Sequence, residues 1–326
     1  MVLLRAVLIG LVVILTVGSV ATLVIARVIE ARYPPQGQFV AVQGGRLHYI
    51  EAGPRSAARG TVILLHGASS NAADTMLALG RQLSESYRVI AFDRPGHGWS
   101  DRIVGKEAAA PATQAALLGE AMRKLGVSRA IVVGHSWSGA VVPNLALDHQ
   151  DVTGAVMILS GVTHPWPGGT ISWYYAPATS WLGWIFTRTI TTPVGAMLVG
   201  PMAKAVFSPQ QSPPGYEEAA RIAIVLRPAV FQANAEDVAG LYDAVSAQSP
   251  RYPGIRVPAV IIGGDADRIV WTDLHARSFA REVPGAKLIV LPGIGHMPHH
   301  VATERTLVEI DGLAAQIFGP IEARLP

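Results

Sequence analysis

The 326-residue chain contains no cysteine. Disulfide scaffolds, thiolate zinc sites, thiol nucleophiles and iron–sulfur clusters are thereby excluded, and thiols give no clue to the compartment. Charge is also scarce: Asp, Glu, Lys and Arg make up 15% of the residues, against roughly 25% in an average soluble domain. With 50% hydrophobic residues, such a chain fits neither intrinsic disorder nor a charged helical rod. The net charge of +3 comes from scattered Arg with no basic run, so no nucleic-acid partner is expected. No repeat and no low-complexity segment is visible.

Apolar sequence is abundant, above all at the N-terminus. Residues 6–26 carry no charge and lie between Arg5 and Arg27. A helix of that length is about 32 Å long, matching a hydrocarbon core of about 30 Å. A cleaved signal peptide has a shorter apolar stretch, about 7–15 residues, although Ser19-Val20-Ala21 offers small residues for a cleavage site. The reading is an uncleaved single-pass anchor with its linker, residues 1–37, which makes the membrane a partner. Arg5 and the amino terminus nearly balance Arg27 and Arg32 across the span, and the extracytoplasmic side is the expected location of the remainder.

Past Tyr33-Pro34-Pro35-Gln36-Gly37, extended candidates at 39–42 and 46–51 flank Gln43-Gly44-Gly45, a hairpin signal. Apolar, β-branched runs at 61–65, 88–92, 130–133 and 155–159 then alternate with helix-like stretches at 72–85, 113–125 and 137–149. Runs apolar on both faces that alternate with helices predict a parallel sheet covered on both sides. The pattern breaks between residues 162 and 253, where Pro, Gly and Trp are frequent. It resumes with strands at 259–262 and 287–291 and helices near 273–282 and 302–318. The simplest account is one sheet in two halves, 38–161 and 254–326, interrupted by an insertion at 162–253.

Gly134-His135-Ser136-Trp137-Ser138-Gly139 lies between a strand and a helix. A sharp strand–turn–helix needs small residues two positions either side of the central Ser, whose hydroxyl it exposes above the sheet edge. The pattern is G-x-S-x-G with Ser138 at the last position and Gly139 directly after. A Ser hydroxyl attacks only when a base takes its proton and an acid orients that base. On this architecture the acid and then the base follow the Ser, each in a loop after a strand. Gly263-Gly264-Asp265-Ala266-Asp267 offers two carboxylates, and Gly293-Ile294-Gly295-His296 a histidine.

With these residues in view the sequence resembles the α/β-hydrolase superfamily, in its cap-bearing serine esterase or lipase-like branch, over roughly residues 38–320. The resemblance implies an α/β-hydrolase fold with a mainly helical cap at 162–253. It also implies a catalytic triad of Ser136, Asp267 and His296, the G-x-x-D pattern favouring Asp267 over a loop-capping Asp265. His66-Gly67-Ala68 resembles the family's H-G-x loop, which implies an oxyanion hole from the Ala68 and Trp137 amides, with His66 structural. Asp93-Arg94-Pro95-Gly96-His97-Gly98-Trp99-Ser100 resembles another family signature, with Asp93 bracing loops. Metal ligation by His296, His299 and His300 is disfavoured, since Pro298 interrupts the helix that such spacing needs. No metal and no cofactor is implied.

Four of the seven Trp, namely Trp166, Trp173, Trp181 and Trp184, lie within the insertion. Together with Trp99 they are candidates to line an apolar substrate pocket. Packing of the insertion onto the body, or a place in the membrane interface, is the alternative reading. The expected activity is hydrolysis of an apolar carboxylic ester through an acyl-enzyme. Rival readings are a C–C bond hydrolase, perhydrolase or acyltransferase on the same triad, or a non-catalytic membrane-tethered ligand-binding protein.

Overall fold

The computed structural model describes residues 1–57, 59–169 and 175–319. Helix α1, Val2–Arg32, is followed by the hairpin of β1, Gln38–Val42, and β2, Gly45–Ala52. Six further strands complete one sheet: β3, Thr61–Leu65; β4, Arg88–Phe92; β5, Ala130–His135; β6, Thr153–Leu159; β7, Ala259–Gly264; and β8, Lys287–Leu291. Their order is β1-β2-β4-β3-β5-β6-β7-β8, antiparallel from β1 through β2 to β4 and parallel elsewhere.

The parallel strands are apolar on both faces because both faces are covered. Ile63, Leu65, Val132, Val156 and Ile261 enter one core, with α2 (Pro111–Lys124), α3 (Val141–Asp148) and α6 (Ala276–Glu282) on that side. Their sequence neighbours Val62, Leu64, Ile131, Ala155 and Val260 enter the other, against the helical run 72–83 and α7 (Thr303–Phe318). This period of two, with no polar face, is the signature of a doubly covered sheet. The run that reads as a helix over 72–85 ends at Leu83 and contains a π turn, Met76–Gly80, in its middle.

Between β6 and β7 the described residues form helices and turns only. The longest are α4, Thr192–Ala205, and α5, Pro228–Gln248. We refer to this segment as the cap.

Close approach of two backbones fixes the packing beneath the β5 turn. A Cβ on Gly139 would stand 2.6 Å from Gly161 Cα and 2.7 Å from the Val162 nitrogen. Backbone cannot yield as a flexible side chain can. Gly139→Ala should therefore cost about 1–3 kcal/mol, read as a thermal midpoint several degrees lower. Gly312→Ala, mid-helix in α7 with nothing within 4 Å, should leave the midpoint unchanged or slightly raised.

Candidate active site

Because β3, β5, β7 and β8 run parallel, their carboxyl ends open onto one edge of the sheet. Ligands of such sheets bind at that edge. β5 ends at His135, and Ser136 follows at φ +52°, a left-handed conformation that a non-glycine residue adopts only when its surroundings impose it. Here the Ser138 hydroxyl donates to the His66 carbonyl at 2.5 Å, and the Val162 amide to the Ser136 carbonyl at 3.0 Å. Gly67 lies so close that a Cβ there would be 2.8 Å from the Ser136 Cβ. The β3 loop is thus pressed against the β5 turn.

His296 Nε2 lies 3.0 Å from Ser136 Oγ, and His296 Nδ1 lies 2.8 Å from Asp267 Oδ2. The other carboxylate oxygen of Asp267 accepts the amides of Ile269 and Val270 at 2.8 and 3.0 Å. Burial alone would raise the Asp267 carboxyl. The His296 hydrogen bond and charge, with the two amides, outweigh it and hold the group below the ordinary carboxylate range. The β7 and β8 loops are tied together: the Asp265 and Ala266 amides donate to the carbonyls of Leu291 and Ile294, and the Asp265 carboxylate accepts the Gly293 amide. Three residues separated along the chain thereby meet in one hydrogen-bonded row.

Ala68 sits beside Gly67 and packs on the core, and the next amide, Ser69, donates to Asn234 Oδ1 at 2.6 Å. The Trp137 indole is buried and donates to the Asp237 carbonyl at 3.0 Å. His66 is structural: its Nδ1 faces the Gly67 carbonyl at 2.8 Å, and its Nε2 accepts the Arg94 amide at 3.0 Å. Asp93 ties its own loop to β2 and to the start of the helical run 72–83, accepting the amides of Trp99 and Ala72 and facing His48 Nδ1 at 2.7 Å.

The described tryptophans proposed for the pocket divide between the outer surface and packing on the body, the arrangement of the alternative reading. Trp181 and Trp184 are 88% and 65% exposed, so they belong to the outer surface of the cap. Trp166 stacks edge-on against Tyr242 and packs on the sheet core. Trp99 lies under Arg227, in the cluster where α1 meets the cap. Trp173 lies outside the described residues. Membership of the insertion does not determine which face of a helix an aromatic ring takes.

Two buried polar clusters escape a reading of the sequence. Arg94 and Asp237 are both fully buried, 2.7 Å apart, and Gln114 donates to the same carboxylate oxygen. The Arg94 guanidinium also lies 4.1 Å over the Trp137 ring, so this pair joins α5 of the cap to the turn carrying Ser136. Burial pushes Asp237 up and Arg94 down, each opposed by the partner's charge. The second cluster lies behind His296. There His135 Nε2 donates to the His296 carbonyl, and Asp74 receives Ser70 and Tyr216 hydroxyls and faces His300 Nε2 at 2.8 Å. Ligand atoms of Asp74, His299 and His300 fall within 4.8 Å of one another, but the Asp74 oxygens are already engaged by those three groups.

A family model for the α/β hydrolase fold matches residues 60–303. The chain belongs to that family. Two curated relatives share the name 2-hydroxy-6-oxo-6-phenylhexa-2,4-dienoate hydrolase. The Comamonas testosteroni protein is 36% identical over 134 residues, 40% of this chain and 43% of its own length. The Burkholderia cepacia protein is 27% identical over 269 residues, 77% of this chain and 85% of its own. Among solved structures, a membrane phospholipase A described as a bacterial virulence factor superposes with a TM-score of 0.65 at 21% identity, over 96% of each chain.

Two predictions concern these buried groups. Asp237→Ala strands the Arg94 charge in the interior, which should cost about 3–5 kcal/mol, measured as a lowered denaturation midpoint. The second concerns acid. Burial pushes His66 and His135 down to about 3 and His275 to about 4, whereas each titrates near 6.5 when unfolded. Their contribution is fully present above pH 6.5 and is lost as pH falls towards those values, each histidine by up to about 1.4 kcal/mol per pH unit. The melting temperature should decline already between pH 6.5 and 5; a flat profile there would contradict the neutral assignment.

Proposed function

We propose that the chain is a membrane-anchored serine hydrolase cleaving an apolar carboxylic ester. The observation that carries this reading is the hydrogen-bonded row Ser136–His296–Asp267, with the Ser held at positive φ. In the proposed reaction His296 Nε2 takes the hydroxyl proton as Ser136 Oγ attacks the ester carbonyl. The amides of Ala68 and Trp137 receive the oxyanion, each such donor contributing about 3–4 kcal/mol to the transition state. Asp267 holds the imidazole tautomer and stabilises the imidazolium. The imidazolium then gives its proton to the alcohol as the carbon–oxygen bond breaks. Water, deprotonated by His296, attacks the acyl group, and Ser136 leaves with the proton.

Helix α1 supports the anchor half of the proposal. It is long and apolar enough to cross a membrane, and residues 2–14 are exposed on all sides. The fold-level likeness to a membrane phospholipase A takes in 96% of the chain, and the reading of a membrane enzyme accords with it. The extracytoplasmic side remains our proposal for the catalytic residues.

A second reading has its own support. The Burkholderia cepacia relative, named 2-hydroxy-6-oxo-6-phenylhexa-2,4-dienoate hydrolase, aligns over 77% of the chain, and the same Ser–His–Asp row serves equally in hydrolysis of a C–C bond. Product analysis with paired ester and diketone substrates separates the two.

Ser136→Ala should remove labelling by a fluorophosphonate probe and lower kcat on a short p-nitrophenyl ester by about 10⁴-fold or more, and Asp267→Asn should lower it by about 10⁴-fold. Equal labelling of wild type and Ser136→Ala would refute the nucleophile. The anchor is checked separately, by retention of the full chain in membranes after carbonate washing.

A further inference from the structure

The face of α1 that is not exposed repeats as Leu15, Gly18, Thr22, Ile25, Ile29 and Tyr33, one side of a helix. That side packs on the cap, against the turn Thr187–Thr191 and α4. At Gly18 the approach is so close that a Cβ would collide with the Thr189 carbonyl. Gly18 lies eight residues inside the uncharged stretch that ends at Ala26, a depth of about 12 Å along the helix axis. If residues 6–26 cross the hydrocarbon, as the proposed anchor does, Thr189 lies at hydrocarbon depth with them.

The cap is sorted by the same levels. From Arg27 onward α1 is charged, and there the cap answers with charge. Arg227 pairs with Glu30, Arg32 pairs with Glu218, and the Tyr33 hydroxyl donates to Glu218 at 2.6 Å. Above that collar, from Trp181 to Ala203, the only charged side chain is Arg188, which lies over the Trp184 ring and donates to the Trp184 carbonyl. In the same stretch Trp181, Trp184, Val194, Met197, Leu198 and Met202 are exposed, Met197 to 78%. A contiguous apolar surface of this kind marks an interaction face, and its continuity with α1 names the partner.

We propose that cap residues 181–203 are embedded in the lipid bilayer beside α1, and that the substrate is an acyl ester drawn from that bilayer. The first part rests on the anchor reading, and the second also on the serine-hydrolase reading. The same segment is tied to the loop that bears His296 by way of Gln210. An open groove of about 530 Å³ lies at the end of α4, between Pro201, Lys204 and Ala205 on one side and Gln210 and Glu217 on the other. The Gln210 side chain donates to the Gly293 carbonyl at 2.6 Å and accepts the Gly295 amide at 2.9 Å, next to His296. A lipid-facing helix is thus joined to the loop that carries the catalytic base.

The absence of cysteine makes the test clean. Ile9→Cys, Met197→Cys and Glu85→Cys are each made in the full chain, labelled with an environment-sensitive fluorophore and reconstituted into phosphatidylcholine vesicles. Labels at 9 and 197 should be quenched by lipids carrying an acyl-chain quencher and protected from aqueous iodide, while the label at 85 should behave oppositely. Lipid quenching at 9 with iodide quenching at 197 overturns the embedded cap and leaves the anchor standing. Iodide quenching at both overturns the anchor, and the proposal with it. Protection at 197 from both quenchers would mean a second copy of the chain covers the face, which also overturns the proposal.

The substrate arm is separate. Met197→Asp, which puts a charge at lipid depth, should keep the rate on a water-soluble ester and lose at least about tenfold on a diacylglycerol carried in vesicles. An unchanged ratio between the two substrates overturns the bilayer source. Absence of turnover on both substrates by wild type as well would refute the hydrolase reading, while the quenching results would still decide the place of the cap.

Discussion

The left-handed backbone at Ser136 is the constraint around which the site is built. A non-glycine residue held there costs on the order of 1–3 kcal/mol, so the surroundings must over-determine it. They do so with small groups. Gly67 lets the β3 loop press on the Ser side chain, and Gly139 and Gly161 let two backbones touch beneath the turn. The Ser138 hydroxyl closes the arrangement on the His66 carbonyl. Any larger residue at these glycines would have to be accommodated by moving the hydroxyl that the turn presents.

The same turn is gripped from above. Trp137, directly after Ser136, is held by the Asp237 carbonyl and lies under the Arg94 guanidinium. Arg94 in turn shares Asp237 with Arg102 and Gln114. A fully buried ion pair is a poor source of net stability, because desolvation consumes most of the attraction. Its geometric consequence is clearer: the cap helix α5 cannot shift relative to the Ser136 turn without breaking charge-assisted bonds. We read the pair as fixing the register of cap on body.

The sheet, the strand order of chemistry and the three residues of the row were legible in the sequence because each has a local cause. Strands buried on both faces read as unbroken apolar runs, and Ser136, Asp267 and His296 each follow such a run within a few residues. Gly and Pro mark the turns. What was illegible depends on partners far along the chain. Arg94 and Asp237 are separated by 143 positions, and nothing near either residue announces the other. The placement of the tryptophans was illegible for a related reason. Composition located an aromatic-rich segment, but which of its rings face outward is set by how the segment packs on residues far along the chain, as Trp166 does on Tyr242. The π turn at Met76–Gly80 likewise has no signal in a periodicity that tolerates one extra residue.

That docking also bears on the cleaved-signal alternative. A cut after Ala21 would remove Gly18 and its contact with Thr189, while leaving Thr22, Ile29 and Tyr33 packed on the cap. The cap would then expose the surface that Gly18 now covers, adding to an outer face already rich in Trp, Met and Leu. A soluble product gains nothing from such a face and risks aggregation. A retained helix, by contrast, makes the absence of a side chain at Gly18 intelligible: small residues let helices approach closely where lipid supplies no hydrophobic drive between them. Along α1 the close contact at Gly18 comes before the ion pairs of Glu30 and Arg32 with the cap, which is the order that a bilayer favours, apolar depth first and water-level charge after.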